Sequence, residues 1–436
     1  MIFAERGQNR PDLKILSAVI ERSIAFLLVI YPVLLLTLKG GVNASFLALL
    51  LLSISLLIFA DKTDLRAILD RDAAFYAGAM AFFLVPIWLS QSYHHHYAAH
   101  SYDAASRYLL AVPVFMLLRR VRFEVIAKVQ YGFPLGAIAG LLAAKEIIRP
   151  EWPHARLGVD FLNVIYFGDL ALMLGILSLF SLNWAGRDSP ALRILKVLGF
   201  LAGIYASVRS DTRGGWVAAP VFLLIFLYFK AGNISRKSLF ATLFIVVAAI
   251  FSAYIFNQRV HERVDLAANE IAGFHQGSRD TSIGIRLQLW QAAIAEFRQN
   301  PVFGVGPGNF WAPLKSMREA GEITQLAEDT GHAQVHNELL SKLAELGVFG
   351  LVSILLIYLV PLKIFIQSAR SNMRRKKQSG ILGIALVSGF FIFGLTVEIL
   401  DLTMTAAFYS LTVAVFLAAS LNLSHGEQQP VPTNNP

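Results

Sequence analysis

Apolar runs of about 18 residues or more recur from one end of this chain to the other. A helical run of that length matches the hydrocarbon thickness of a bilayer, where every backbone N–H and C=O must be satisfied inside the protein. Helices meet that condition segment by segment, so the pattern predicts an all-α polytopic membrane protein. The chain is 56% hydrophobic and 15% charged, with a mean hydropathy of +0.57, whereas a soluble domain carries about a quarter charged residues. Spans are expected at 15–38, 42–60, 73–91, 105–119, 125–147, 160–182, 190–208, 215–231, 238–257, 338–362, 380–398 and 403–422, about twelve in all. Pro32, Pro86, Pro113 and Pro134 fall inside spans, where neighbouring helices can satisfy the carbonyls they free. The first run follows a polar stretch, Glu5 to Lys14, with no small-residue cleavage site, and reads as an uncleaved span.

The formal charge of +9 does not point to nucleic acid, because the basic residues sit in short interhelical loops. Their placement reports topology. One set of loops holds Arg6, Arg10, Lys14, Lys62, Arg66, Arg71, Arg119, Arg120, Arg122, Arg187, Arg193, Lys196, Lys230, Arg236, Lys237 and the cluster Lys363 to Lys377. The opposite set is much poorer, with Lys39, Lys145, Arg149, Arg156, Arg209 and Arg213. Both termini are therefore expected in the cytoplasm. The chain has no cysteine, which removes disulfides, thiolate metal sites and cysteine nucleophiles.

One stretch breaks the apolar pattern. From Asn257 to Gln334 the sequence is mostly polar, and the charge rule puts it outside, in a periplasm-like space. The expected organisation is 1–256 for spans one to nine, 257–335 for a periplasmic loop or lid with an amphipathic helix, 336–423 for the last three spans, and 424–436 for a disordered cytoplasmic tail. No ATP pool exists outside. A reaction there needs a substrate that arrives activated, such as a lipid-linked pyrophosphate.

Four features carry candidate chemistry. Ser207 to Trp216 places Arg209 and Arg213 beside Gly214 and Gly215 at a helix start. A guanidinium fork matches phosphate oxygens and glycines permit close approach, although an interfacial Arg and Trp anchor looks much the same. Ile285 to Phe297 reads as a short amphipathic helix, lying on the membrane surface or capping the bundle. Arg286 in its first turn suits a bound anion better than it suits the helix dipole. Asn300 to Phe310 has three glycines and two prolines and reads as consecutive tight turns, not a nucleotide loop. His336, Asn337 and Glu338 open an apolar helical stripe at the external membrane boundary, where an imidazole can take a proton from a hydroxyl or can simply flank a helix cap. His332 and His275 are weaker candidates. Glu398 and Asp401 lie between the last two spans, where an acid is a functional suspect. His94, His95, His96 and His100 cluster after the third span, but their spacing does not suit a defined metal site.

Thr212-Arg213-Gly214-Gly215, Arg286 with Trp290, Asn300-Pro301 through Gly304-Val305-Gly306-Pro307-Gly308-Asn309-Phe310, and His336-Asn337-Glu338 with Glu345-Leu346-Gly347 occur in that order around one external loop. The set resembles the O-antigen ligase and polymerase superfamily, most closely its ligases, and covers about residues 205–350. The resemblance implies a metal- and cofactor-independent membrane glycosyltransferase with a GT-C-like architecture. Its donor would be an undecaprenyl-pyrophosphate-linked O-antigen and its acceptor a lipid A–core sugar. It further implies that Arg213 and Arg286 bind the pyrophosphate, with Arg209 as a possible third, and that His336 activates the acceptor. Asn337, Asp401 and Glu398 are possible supporting residues, with Asp401 slightly preferred over Glu398. Attack at the anomeric carbon in a single displacement would invert it. An O-antigen polymerase or a protein O-oligosaccharyltransferase would use the same chemistry. A lipid or solute transporter fits the span number but not the absence of visible inverted repeats.

Overall fold

The computed structural model describes residues 11–58, 70–149, 154–230, 265–266, 269–270, 272–274 and 277–422. The span expected at 238–257, the tail 424–436, His275 and the first residues of the polar insert lie outside the described residues. Among the described residues, eight helices are long and apolar enough to cross a membrane: Leu16–Leu34, Gly41–Ile58, Arg71–Tyr93, Phe123–Ala143, Pro190–Arg209, Glu338–Ala369, Arg374–Gly394 and Thr403–Ser420. Val164–Phe180 and Gly214–Phe229 are shorter apolar helices. The expected short fourth span is the helix Tyr102–Leu118. Among the described residues the one sheet is a two-stranded antiparallel ribbon, Lys145–Ile147 with Arg156–Gly158. The chain is an all-α polytopic membrane protein.

The chain divides into two compact units. The first comprises Met1–Val85, Ala98–Phe222 and Ser353–Pro436; the second comprises Pro86–Tyr97 and Leu223–Val352. The unit that contains the polar insert therefore extends beyond the insert at both ends.

Within the first unit, small residues decide which helices touch. Lipid offers no hydrophobic drive between helices, so close backbone approach and the dispersion contacts it permits must supply it. Gly132, Gly136 and Gly140 recur every fourth residue along one edge of the helix Val129–Ala143. A side chain at Gly132 would collide with the Val29 carbonyl, and one at Gly136 with the Pro32 carbonyl. The two glycines thus let this helix approach the backbone of the first helix closely around Pro32. The same device joins Val164–Phe180 to Pro190–Arg209: a Cβ on Gly203 would lie 2.5 Å from the Ala171 carbonyl oxygen and 2.8 Å from the Gly175 Cα.

Polar residues tie the loops at one end of this unit. Lys196 is fully buried and donates to Asp188 Oδ2 (2.9 Å), Gln130 Oε1 (2.8 Å) and the Ser181 carbonyl (2.7 Å). Its three donors are all used, as a buried ammonium requires. Arg119, 1% exposed, bonds Asp70 (2.8 Å) and the Leu421 carbonyl (3.2 Å). Arg122 pairs with Glu21 and Arg375 with Glu124 (3.0 Å). All these cations come from the basic loop set, so that set forms one cross-linked end of the unit.

Gly136→Ala is expected to lower the thermal midpoint of the detergent-solubilised protein, by overpacking worth about 1–3 kcal/mol. Gly78→Ala, where an added Cβ meets nothing within 4 Å, serves as the control and should leave the midpoint unchanged or raise it.

Candidate functional site

In the second unit, the predicted amphipathic segment is the helix Ser282–Gln299, capped by Thr281, whose hydroxyl accepts the Gly284 N–H at 3.0 Å. The helix begins before the expected Ile285, so Arg286 is its fifth residue and starts the second turn. The dipole argument for an anion at Arg286 weakens accordingly, since that field decays within the first turn. The apolar face is not laid on a membrane surface. Leu289, Ala292 and Ala293 pack with Phe310, Leu314, Met317, Ala327, Val335 and Ala344 in a small core of this unit. Gln288 locks the helix to its surroundings: its amide donates to the Arg279 carbonyl (3.0 Å) and its oxygen accepts the Thr324 N–H (2.8 Å).

The turn-rich segment Asn300 to Phe310 meets the helix Glu338–Ala369 at a break. Gly347 sits at φ 66°, ψ −155°, a conformation essentially restricted to glycine. A helix through this point would send the Val348 N–H to the Ala344 carbonyl. Instead Val348 N–H donates to the Pro301 carbonyl (2.9 Å), Val305 N–H to Ala344 (2.9 Å) and Gly306 N–H to Glu345 (3.0 Å). The Glu345 carboxylate also accepts the Gly308 N–H at 3.0 Å. Gly304, Gly306 and Gly308 all have positive φ. The other side of the turn is held by Ser90, donating to the Phe303 carbonyl (2.7 Å), and by His94, whose Nε2–H donates to the Gly304 carbonyl (2.9 Å). His94 is thereby spent on backbone, and among the described residues no group of three or more His, Cys, Asp or Glu gathers that could hold a metal ion.

The start of the same helix presents His336. Asn337 is the N-cap, its Oδ1 accepting the Leu339 and Leu340 N–H groups, both at 3.1 Å. Its role is structural at this point, worth about 1 kcal/mol. Val335, 1% exposed, anchors the chain in the core on the other side. Between these two fixed residues His336 adopts φ 61°. A non-glycine residue in the left-handed region persists only where its neighbours over-determine it, and such residues cluster at working sites. Its Nδ1 is shut off from solvent and has no hydrogen-bond partner among the described residues. Burial, reinforced by the Arg286 guanidinium, pushes the imidazole down from its usual 6.5 to about 4. Arg286 and His336 are thus brought together. His332, by contrast, is exposed and stacks on Trp311 with ring centroids 5.6 Å apart.

In the first unit, Arg213 opens the short helix Arg213–Trp216; its side chain lies outside the described structure. The turn that delivers it is tightly held. Asp211 has φ 55°. Ser210 Oγ and Thr212 Oγ1 lie 2.8 Å apart, and Thr212 Oγ1 donates to the Val164 carbonyl at 3.1 Å. The guanidinium of Arg156 donates to the Ser210 carbonyl (2.7 Å) and the Asp211 carbonyl (3.0 Å). Arg209 is paired instead with Glu146, across a register in which Glu146 faces Leu157 and Ile147 faces Arg156. The ribbon therefore grips the turn through two of its residues.

Gly214 packs on Thr396 and Gly215 on the Asp169 carboxylate; a side chain at either would collide. Thr396 belongs to the loop that carries Glu398, which is 7% exposed and whose carbonyl accepts the Tyr166 hydroxyl at 3.3 Å. Asp401 is exposed. Of the two acids weighed from sequence, Glu398 is the one buried in the loop that touches the Arg213-Gly214-Gly215 helix. Arg156 and Asp169 were not among the candidate residues read from sequence. An acid inside a predicted span is itself a sequence signal and flags Asp169, which the structure buries fully. Arg156 has no such signal, because its partners are backbone carbonyls remote in sequence.

Two outcomes follow from this geometry. Gly347→Ala should deplete the folded, monodisperse fraction in size-exclusion chromatography, through backbone strain of about 1–3 kcal/mol and collision with the Val302 carbonyl. Arg156→Ala should accelerate amide exchange over residues 209–214 by about tenfold, the loss of charge-assisted hydrogen bonds worth about 1.5–3 kcal/mol, with exchange in the helix Thr403–Ser420 unchanged.

Comparison with known proteins gives this geometry a context. Residues 198–355 match the family model described as O-antigen ligase, Wzy_C. An uncharacterised protein of Haemophilus influenzae is 26% identical over 306 residues, 67% of this chain and 73% of that protein. The O-antigen ligase of Escherichia coli K12 is 23% identical over 192 residues, 43% of this chain and 44% of that protein, so the alignment spans less than half of either. The matched segment holds Arg209, Arg213, Arg286, the glycine turns, His336 and Gly347. Residues 198–355 of this polytopic helical membrane protein are therefore similar to the O-antigen ligase family.

Proposed function

We propose that this protein is an O-antigen ligase that transfers polysaccharide from undecaprenyl pyrophosphate to a hydroxyl of lipid A–core on the periplasmic face of the inner membrane. The coarser class, an enzyme of ligase or polymerase type in lipopolysaccharide synthesis, follows from the family match. The name of the Escherichia coli relative favours the ligase over the polymerase.

The observation that carries the reading is His336 beside Arg286: an imidazole held uncharged, with a buried nitrogen left unpartnered, next to a permanent cation. The two groups match the two demands of glycosyl transfer. The acceptor hydroxyl must lose its proton as it attacks the anomeric carbon, and the departing pyrophosphate must be stabilised. His336 takes the proton. Arg286 neutralises charge on the pyrophosphate, and Arg213 carries the same assignment from its motif. The C–O bond to pyrophosphate breaks as the bond to the acceptor oxygen forms, and the single displacement inverts the anomeric centre. Glu398, the buried acid of its loop, is the preferred supporting residue over Asp401. Arg209, held by Glu146, is left as a structural ion pair.

An imidazole at about 4 is a weak base, and the bound donor corrects this. Pyrophosphate oxygens at Arg286 offset its positive field, so His336 becomes more basic when donor is present. The proton-accepting group is thus strengthened by the substrate it serves.

Purified protein supplied with lipid-linked polysaccharide and lipid A–core should form the conjugate, and His336→Ala and Arg286→Ala should each reduce its rate by at least about a hundredfold. Full activity in both variants would sink the mechanism. In cells lacking the gene, bare lipid A–core and accumulated lipid-linked polymer are expected; cores capped with a single repeat would mark a polymerase instead. The pH profile provides a second test. The His336 pKa is depressed, so the neutral, active form persists as pH falls until the free-enzyme value. The acid limb of kcat/KM should fall near about 4, and that of kcat should lie higher, because kcat reports the donor complex.

A further inference from the structure

Trp290 has an indole Nε1–H that is shut off from solvent and has no hydrogen-bond acceptor among the described residues. That is an expensive state. A buried donor left unmade costs roughly 1–3 kcal/mol, and nearly all buried polar groups avoid it. The indole can only donate, so what would satisfy it is an acceptor oxygen.

Its place on the helix says which oxygen. Trp290 follows Arg286 by four residues in Ser282–Gln299, a spacing that puts two side chains on one face, one turn apart. The body of the ring packs partly buried against the small core of the second unit, the same core that holds Val335. Arg286 is the cation whose field reaches His336, the residue after Val335. The indole donor, the guanidinium and the unpartnered His336 Nδ1 therefore belong to one neighbourhood, and a ligand there would satisfy both the indole N–H and His336 Nδ1. His336 Nδ1 suits a hydroxyl group. The indole suits the anion that Arg286 attracts.

We propose that Trp290 is a ligand-binding residue, donating its Nε1–H to a phosphoryl oxygen of the group bound by Arg286. The inference rests on the reading of Arg286 and His336 given above. Arg286 supplies charge, which does not discriminate among anions. The indole adds a fixed direction on a ring with two torsions, whose packing limits its motion. It therefore orients the phosphate oxygens, and its contribution appears in binding of the donor.

The test is steady-state transfer by purified protein with Trp290→Phe, which keeps an aromatic ring in the core and deletes the N–H. The KM for the lipid-linked donor should rise about tenfold, the equivalent of one hydrogen bond to a charged group. The KM for lipid A–core and the thermal midpoint should stay at wild-type values. Wild-type donor KM in a folded Trp290→Phe protein overturns the inference. If Arg286→Ala and His336→Ala still abolish transfer in that case, the proposed function stands and only the role of Trp290 fails. If those two variants are also fully active, the functional reading fails with it. Should Trp290→Phe not fold, the wild-type protein labelled with nitrogen-15 in its tryptophans decides. Inorganic pyrophosphate must move one slowly exchanging indole N–H resonance downfield, and the absence of any such shift overturns the inference. A shift with pyrophosphate but none with orthophosphate identifies the diphosphate as the preferred group; an equal shift with both assigns Trp290 to phosphate in general and leaves its donor role in place.

Discussion

The exchange of backbone hydrogen bonds at Gly347 underlies the arrangement of the second unit. A helix entering a membrane must keep every carbonyl satisfied, and a break leaves some of them open. Here the Ala344 and Glu345 carbonyls are taken by the Val305 and Gly306 N–H groups, while Val348 turns to Pro301. The break is stable only because a second chain segment arrives with its own N–H groups correctly spaced. That segment in turn needs glycines at 304, 306 and 308, all at positive φ. The turn and the break make each other possible, which is why two motifs about forty residues apart read as one structural device.

From that joint the positions of the reactive groups follow. Ala344 belongs to the same small core as Leu289, Ala292, Ala293 and Val335. Fixing the helix start against this core fixes Val335 and the Asn337 cap, and His336 is left in a left-handed turn between them. The helix that supplies the core also supplies Arg286. One set of apolar contacts thus sets the relation of a cation to an imidazole, and the imidazole's depressed basicity is the electrostatic consequence.

The first unit solves a different problem with similar economy. The turn before Arg213 contains a left-handed Asp211 and two hydroxyls bonded to each other. Loops of this kind are usually mobile. Here Arg156 ties two consecutive carbonyls and Glu146 takes Arg209. A three-residue ribbon, the one sheet among the described residues, is used to hold a loop that carries an arginine.

Membrane class and most spans were legible in the sequence, because hydropathy is a local property and lipid allows few ways to satisfy a backbone. The glycine-rich turn was also legible as turns, since positive φ demands glycine wherever it occurs. His336 and Arg286 could be named from residue type and order, yet their pairing, fifty residues apart, depends on a core that brings two helices together. Arg209 shows the same limit from the other side. Its fork looked suited to phosphate, and only the folded ribbon reveals that a carboxylate already occupies it. Burial likewise separates Glu398 from Asp401, which local sequence could not do. Sequence determined which elements form and which side chains carry useful chemistry, because those follow from short-range sterics and transfer free energy. The tertiary structure alone decided which of those side chains meet, which are already engaged, and how basic His336 is, because contact and dielectric environment are set by residues remote along the chain.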